Sequence, residues 1–504
     1  MKLRQMLPGL EVIRVVGSES LDITGLHYDS RKIEPGNLFV AIPGLKSDGH
    51  QYIPSAISAG AVAVVVERPV EVPPEVTRLE VRDSRSALSC LAAAYYGHPS
   101  TRLRLIGVTG TNGKTTTAHL VEAILIRAGY RVGLLGTIGG RLGEHSFPIS
   151  HTTPESLDLQ QMLSRMVEEG ANYVVMEVSS HALALKRVQD CEFDVGVFTN
   201  LTQDHLDFHS SMEEYAQAKR QLFAGLGSTG SKHKPKYAAI NLDDPAAWAL
   251  IEATPVPVIT YGLSKNAQVG ARGVEVHPQG TSLTAILPDG ELPLNLRLTG
   301  RFNTYNALAA LTVGWREGVP LEEIKAALEG VRGVPGRFEP VDQGQDFAVI
   351  VDYAHTPDGL ENLLATAREV TGRKLITVFG CGGDRDRGKR PLMGEVAARW
   401  SDYVIVTSDN PRTEEPGKII EEILPGLKGL SPRQYEVIED RRAAIYRALE
   451  LAEAGDAVVI AGKGHETYQI VGNQTFPFDD REVAREGLRR LNGMMTSVTK
   501  NMPI

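Results

Sequence analysis

Residues 108 to 117 read VTGTNGKTTT, a polar glycine loop that follows the apolar run LRLIGV and leads into a lysine and three threonines. The backbone N–H groups of such a loop, at the start of a helix, form a site for an anionic phosphate. There Lys114 reaches the β- and γ-phosphates of a nucleotide and Thr115 meets Mg²⁺, while Gly110, Thr111, Asn112, Gly113 and Thr116 complete the cradle. The match to G-x-x-x-x-G-K-[ST] is imperfect, since Val108 takes the first glycine position and Gly107 lies one place early. The strand–loop–helix context supports the reading nonetheless. A switch, a kinase and a ligase can all begin this way.

Phosphoryl transfer also needs hard ligands for Mg²⁺. Glu177 ends the apolar run YVVMEV, where a carboxylate is costly to bury without a cation or hydrogen-bond partners. His205, in TNLTQDHLDFH, taken alone reads as a structural histidine. Lys219, in EEYAQAKRQLF, has Tyr215 and Ala216 one helical turn earlier, so it finds no acidic partner there and is expected to be solvated. DNPR, Asp409 to Arg412, would by itself be an Asx-Pro turn, but Arg412 adds a planar fork suited to a carboxylate. Asp409 and Glu466 could accept from ammonium groups. The basic cluster RDRGKR, Arg385 to Arg390, reads alone as a solvated loop, and GCGGDR lacks the third glycine of a dinucleotide fingerprint.

These residues need elements to place them. A chain of 504 residues suggests about three domains. Short, nearly all-apolar runs such as NYVVMEV and FDVGVFT, each followed by polar residues, have the pattern of parallel strands covered on both faces. Ligands collect beyond the carboxyl ends of such strands. FAVIVDYAHTP, KLITVFGCGGDRDRG, DYVIVTSDNPR and DAVVIAGKGHE repeat the pattern in a second α/β layer structure. Between the two lies a weaker β-rich stretch, roughly residues 255 to 300, then the helix-like RFNTYNALAALTVG. Linkers are expected at GHPS, Gly97 to Ser100, and at GVRGVPGRFE, Gly330 to Glu339, giving domains 1–100, 101–335 and 336–504.

No run approaches the roughly 18 apolar residues of a membrane span. Cys90, Cys191 and Cys381 lie far apart with no CxxC pair. A net charge of −9 argues against a broad nucleic-acid-binding face. A cytoplasmic enzyme is expected, monomeric, with neither a nucleic-acid nor a membrane partner.

GTNGKTT, MEVSSH, TNLTQDHLD, AKRQLF, GRFNTYNALAA and VPGRFE, in this order, resemble the Mur ligases of peptidoglycan synthesis, over nearly the whole chain. YDSRKIEPGNLFVAIPGLKSDGHQYI, SDNPRTEEP and AGKGHETYQ narrow the resemblance to the branch that adds the third peptide residue. The resemblance implies an α/β chain of three domains: an N-terminal UDP-binding domain, a central P-loop ATPase and a Rossmann-like C-terminal domain. It implies that ATP drives the joining of UDP-N-acetylmuramoyl-L-alanyl-D-glutamate to a diamino acid through an acyl phosphate. DNPR implies meso-2,6-diaminopimelate, because lysine-adding relatives usually lack this arginine pattern.

Carried over by motif, Lys114, Glu177, His205 and Lys219 are catalytic, and Thr115, Glu177, His205 and Lys219 serve Mg²⁺, Lys219 as a carbamate. Asn303, Arg337 and Asp352 join the phosphate loop in holding ATP. Ser30 and the loop Leu45, Lys46, Ser47, Asp48 match the UDP-binding region, and Thr152, Thr153, Ser179 and Arg187 the muramoyl-peptide contacts. Arg385, Asp409, Asn410, Pro411, Arg412, Gly462 and Glu466 match the diaminopimelate pocket. Leu185 departs from the pattern, standing where some relatives carry glutamine. Three alternatives stay open: a folylpolyglutamate synthase, against which the N-terminal DSR…PGNLFVA region and DNPR argue; a nucleotide switch; and a lysine-adding ligase.

Overall fold

The computed structural model describes residues 1–44, 47–147, 149, 151–227, 232 and 235–499, without the side chains of 492–499. Its centre is an eight-stranded sheet. The strands run in the order Val258–Tyr261, Tyr237–Asn241, Val195–Phe198, Arg104–Thr109, Tyr173–Glu177, Val132–Gly136, Gly139–Leu142 and His145–Phe147. The first six pair in parallel and the last two form an antiparallel edge. Arg104–Thr109 is buried along its whole length, as a strand covered by helices on both faces must be. Glu177 pairs with Val108 and Phe198 with Thr109, so three neighbouring strands end at one level. The phosphate loop, Glu177 and the loop carrying His205 thus leave the sheet side by side.

Before this sheet stands a five-stranded one, ordered Val12–Val16, Thr77–Val81, Ala63–Val66, Asn37–Val40, Gly25–His27. After it, a six-stranded sheet runs Glu339–Pro340, Ala348–Asp352, Ala457–Ala461, Leu375–Phe379, Tyr403–Val406, Tyr435–Val437. The weak β-rich stretch splits. Val258–Tyr261 joins the central sheet, whereas Gly270–His277, Gly280–Leu287 and Gly290–Leu296 form an antiparallel sheet of their own. The helix Lys114–Arg127 packs on Arg301–Arg316, the helix expected from RFNTYNALAALTVG, within one apolar core. Gly97–Ser100 is a tight corner: His98 adopts φ 51° and Pro99 and Ser100 are buried.

A hairpin missed by sequence reading, Tyr468–Val471 with Gln474–Pro477, lies beside the DNPR loop. Its two strands are four residues each, and their apolar residues Tyr468, Val471 and Phe476 lie exposed rather than in a core. All three cysteines are free and buried. Among the described residues no helix is long and apolar enough to cross a membrane.

Candidate active site

Gly110 (φ 151°) and Gly113 (φ 84°) shape the phosphate loop, and Gly113 caps the helix Lys114–Arg127. A side chain at Gly110 would overlap the Thr199 hydroxyl, so only glycine fits. Lys114 folds back, its Nζ donating to the carbonyl oxygens of Gly110 at 2.9 Å and Thr111 at 2.7 Å. Burial holds its pKa below the ordinary lysine range.

Lys219 departs from what its helix spacing alone suggests. It is 2 % exposed rather than solvated, because helix Met212–Ala224 turns this face inward against the loop. Its Nζ donates to the Gly110 carbonyl at 2.9 Å and lies 4.3 Å from the Tyr215 ring centroid. Burial first, then the Lys114 charge, push its pKa far down.

Glu177 accepts from the Thr137 N–H and hydroxyl, both at 2.9 Å. These neutral donors satisfy the buried carboxylate in place of a salt bridge. The Thr137 hydroxyl meets that of Thr152 at 3.1 Å, and the Thr153 hydroxyl donates to the Glu177 carbonyl at 2.9 Å. The Ser179 N–H donates to the Thr153 hydroxyl at 3.1 Å, and Arg187 donates to the Thr153 carbonyl at 3.1 Å while pairing with Glu155 at 2.8 Å. The expected peptide-contacting residues of this region therefore form one network with Glu177.

His205 adopts φ 57°, uncommon for a non-glycine residue, with its Nε2 3.3 Å from Asp204. Burial depresses its pKa strongly, keeping the imidazole neutral and able to ligate a metal. Among the described residues no group of three His, Cys, Asp or Glu side chains could hold a metal. Glu177, His205 and Thr115 supply separate donors, and Lys219 as an amine brings no anionic oxygen. A carbamate on Lys219 would add the oxygen donors that Mg²⁺ favours.

A cavity of about 410 Å³ lies over this loop, between the central and C-terminal sheets. Asn112, Thr115, Tyr305, Asn306, Arg337 and Asp358 are among its walls. Arg337 donates to the Thr115 hydroxyl at 3.0 Å, and Asn112 Nδ2 donates to Asp358 at 2.6 Å, tying both sides of the seam together. Asp352 lines the cavity and accepts from the N–H groups of Phe338 (2.6 Å) and Ala354 (2.7 Å), while burial raises its pKa. Asn303 is absent from the walls. Its amide points inward, donating to the Thr299 carbonyl at 2.9 Å and accepting from Asn306 at 3.0 Å.

The DNPR loop is equally constrained. Asp409 accepts from the Asn410 N–H at 2.6 Å, and Asn410 Nδ2 donates to Glu466 at 2.9 Å. Lys463, missed by sequence reading, donates to Asn410 Oδ1 at 2.8 Å and pairs with Glu466 at 3.3 Å. Burial opposes ionisation of Asp409, but Lys463 and Arg441 prevail and hold its pKa low; burial and Asp409 raise that of Glu466. Arg412 adopts φ 51°, and its Nη1 donates to the Gly383 carbonyl at 2.8 Å. The hairpin holds its backbone, the Arg412 N–H donating to Ile470 O at 3.1 Å. Pro411 is buried, and Gly462 (φ 119°) faces Asp409. Beneath the loop, fully buried Arg441 pairs with Asp480 at 2.7 Å and donates to the carbonyls of Ser408 (3.4 Å) and Ala461 (2.9 Å).

The basic cluster divides. Arg385 and Arg387 are exposed, as a solvated loop requires, and Arg385 is near enough to depress the pKa of Arg412 after burial has done so. Lys389 and Arg390 are buried, because the cluster runs into the helix Lys389–Trp400.

At the other end, Ser30 begins a short 3₁₀ turn after Gly25–His27, and Asp48 caps the turn Gly49–Tyr52 after Asn37–Val40. The two strands are parallel neighbours, so both loops leave the same edge. Ser47 is exposed; Leu45 and Lys46 lie outside the described residues. The Tyr28 hydroxyl donates to Asp158 at 2.6 Å, tying this edge to the helix that follows Thr152 and Thr153.

Three family models match: Mur ligase family, catalytic domain, over residues 22–96; Mur ligase middle domain, over 108–314; and Mur ligase, glutamate ligase domain, over 336–464. A UDP-N-acetylmuramoyl-L-alanyl-D-glutamate--2,6-diaminopimelate ligase of Syntrophomonas wolfei is 51% identical over 97% of this chain and 99% of its own. One of the same name from Geobacillus thermodenitrificans is 48% identical over the same shares. A solved structure of that name is 33% identical, with a TM-score of 0.68, covering 98% of this chain and 99% of the other. The chain belongs to the Mur ligase family.

Proposed function

We propose that the chain joins meso-2,6-diaminopimelate to UDP-N-acetylmuramoyl-L-alanyl-D-glutamate at the expense of ATP. The observation that carries the choice of amino acid is the DNPR loop. Arg412, held from behind by a hairpin, stands in one loop system with Asp409 and Glu466, which suits an amino acid bearing a carboxylate and an amine at each end. The relatives named for this activity, alike over nearly the full length, support the same reading.

ATP fits the cavity at the seam, its phosphates toward Gly110–Thr116 and the C-terminal side contributing Arg337 and Asp352. UDP is assigned to the edge carrying Ser30, Ser47 and Asp48, and the peptide to the Thr152, Thr153, Ser179 and Arg187 network. Thr115, Glu177, His205 and carbamylated Lys219 would hold Mg²⁺, which supplies charge neutralisation on the phosphates. Domain limits of 1–100, 101–335 and 336–504 follow from the same reading.

The D-glutamate side-chain carboxylate attacks the γ-phosphorus, giving an acyl phosphate and ADP. The neutral amine of diaminopimelate then adds to the acyl carbon, and the tetrahedral intermediate collapses with loss of phosphate. A carboxylate is a poor electrophile, so activation must come first. The protein contributes position and charge: Lys114 must leave its two loop carbonyls to reach the phosphate, and Arg412 must exchange the Gly383 carbonyl for the substrate acid.

The test compares diaminopimelate and lysine with purified enzyme, following ADP release. Release should require both the muramoyl dipeptide and diaminopimelate. Equal specificity constants for the two amino acids defeat the substrate assignment, and release with neither substrate present returns the chain to a simple nucleotide hydrolase.

A further inference from the structure

Lys389 has none of the roles above. It is 5 % exposed, and its closest counter-charge is Asp204 Oδ1 at 3.6 Å, beyond a good hydrogen bond. It also opens the helix Lys389–Trp400, where a cation opposes the helix dipole. Neither burial nor position rewards an ammonium there, so stability does not explain it.

Its surroundings suggest another reason. Asp204 also stands 3.3 Å from His205 Nε2 and 3.7 Å from His355 Nε2, and accepts from the His205 N–H at 2.8 Å. Asp204 and His205 leave the central sheet beside the phosphate loop. His355 and Lys389 come from the C-terminal side, and His355 lines the 410 Å³ cavity. Lys114 supplies a cation from the loop itself; Lys389 is a second one, carried across the seam. We propose that Lys389 is a catalytic residue that leaves its loose pairing with Asp204 to bind the phosphoryl group as it passes to the substrate carboxylate. Only the joined domains then complete the charge needed for activation. The inference rests on the ligase reading above.

The experiment follows oxygen-18 scrambling between the β,γ-bridge and the β-nonbridge positions of ATP, with the muramoyl dipeptide present and no amino acid. Scrambling requires reversible formation of the acyl phosphate. Lys389→Met should slow it about 100-fold or more, as loss of one electrostatic contact to a transition state does, and lower kcat in parallel. The dissociation constant of ADP should stay within about threefold of wild type, because uniform binding is untouched. Lys389→Arg, which keeps the charge, should recover most of the exchange. Should Lys389→Met fail to fold, Lys389→Gln carries the same expectation. Exchange within about threefold of wild type in a folded neutral variant, or a loss matched by an equal loss of ADP affinity, overturns the proposal. Should wild type show no exchange because bound ADP cannot rotate, the rate of dipeptide hydroxamate formation on adding hydroxylamine carries the same expectations; no hydroxamate either overturns the acyl-phosphate reading itself, and this inference with it.

Discussion

Lys114 and Lys219 donate to one and the same oxygen, the carbonyl of Gly110, each at 2.9 Å. Two ammonium groups so close repel, and burial, then the Lys114 charge, push the pKa of Lys219 far down, toward the neutral amine. A neutral amine is the form that adds carbon dioxide to give a carbamate. Protein held in carbon-13 bicarbonate should show a carbamate resonance that Lys219→Ala lacks. The variant should lose about 100-fold or more in kcat, as for loss of a group holding a catalytic ion, and added bicarbonate should not restore it. Wild-type turnover in Lys219→Ala removes this residue from the mechanism.

Arg412→Ala should strike the amino acid and spare the nucleotide. Losing an arginine from a desolvated carboxylate pair costs on the order of 2–5 kcal/mol, or roughly thirty- to several-thousand-fold in kcat/KM for diaminopimelate. Arg412→Lys should recover little, since an ammonium cannot reproduce the planar fork. Steady-state kinetics beside ADP calorimetry separates the outcomes; parallel losses in both point to misfolding.

Gly462→Ala tests the Asp409 side of the same loop. Gly462 has φ 119°, and an added Cβ would stand 2.6 Å from Asp409 Oδ2, so that either the backbone or the carboxylate must shift. A strained φ of this sort costs about 1–3 kcal/mol. The variant should melt earlier and show a raised KM for diaminopimelate with KM for ATP little changed. An unchanged KM for diaminopimelate would detach Asp409 from the pocket.

Glu414 accepts from Arg390 at 2.7 Å, and this bond, ahead of other causes, brings its pKa down to about 2. The unfolded value is about 4.3, so the folded state binds the proton less tightly. The resulting stability is present above the unfolded pKa and is lost as pH falls toward 2. Wild type should therefore melt above Glu414→Gln near neutral pH, with the gap narrowing across that acid range. A gap independent of pH would mean that the pair contributes by shape alone.

How far the sequence could be read depended on whether a residue's partners were near it in the chain. The strands ending at Thr109, Glu177 and Phe198 were legible because burial on both faces leaves uninterrupted apolar runs. Gly110 and Gly113 were legible from loop chemistry. Lys219 was legible only through the resemblance of its motif; its own helix spacing hid its burial, which comes from a loop more than a hundred positions earlier. Lys389 was hidden in an apparently solvated basic run. The hairpin behind Arg412 was missed because its strands are only four residues long and their apolar side chains, Tyr468, Val471 and Phe476, face outward instead of lining a core.

The guanidinium of Arg441 lies under the two segments that present Asp409 and Gly462, and its anion comes from Asp480, the first residue of the last helix. That helix is thus a prop rather than trimming. Clipping the chain ahead of it would strand a positive charge in the floor of the proposed amino-acid pocket, and the damage would surface as lost substrate recognition some seventy positions upstream of the cut.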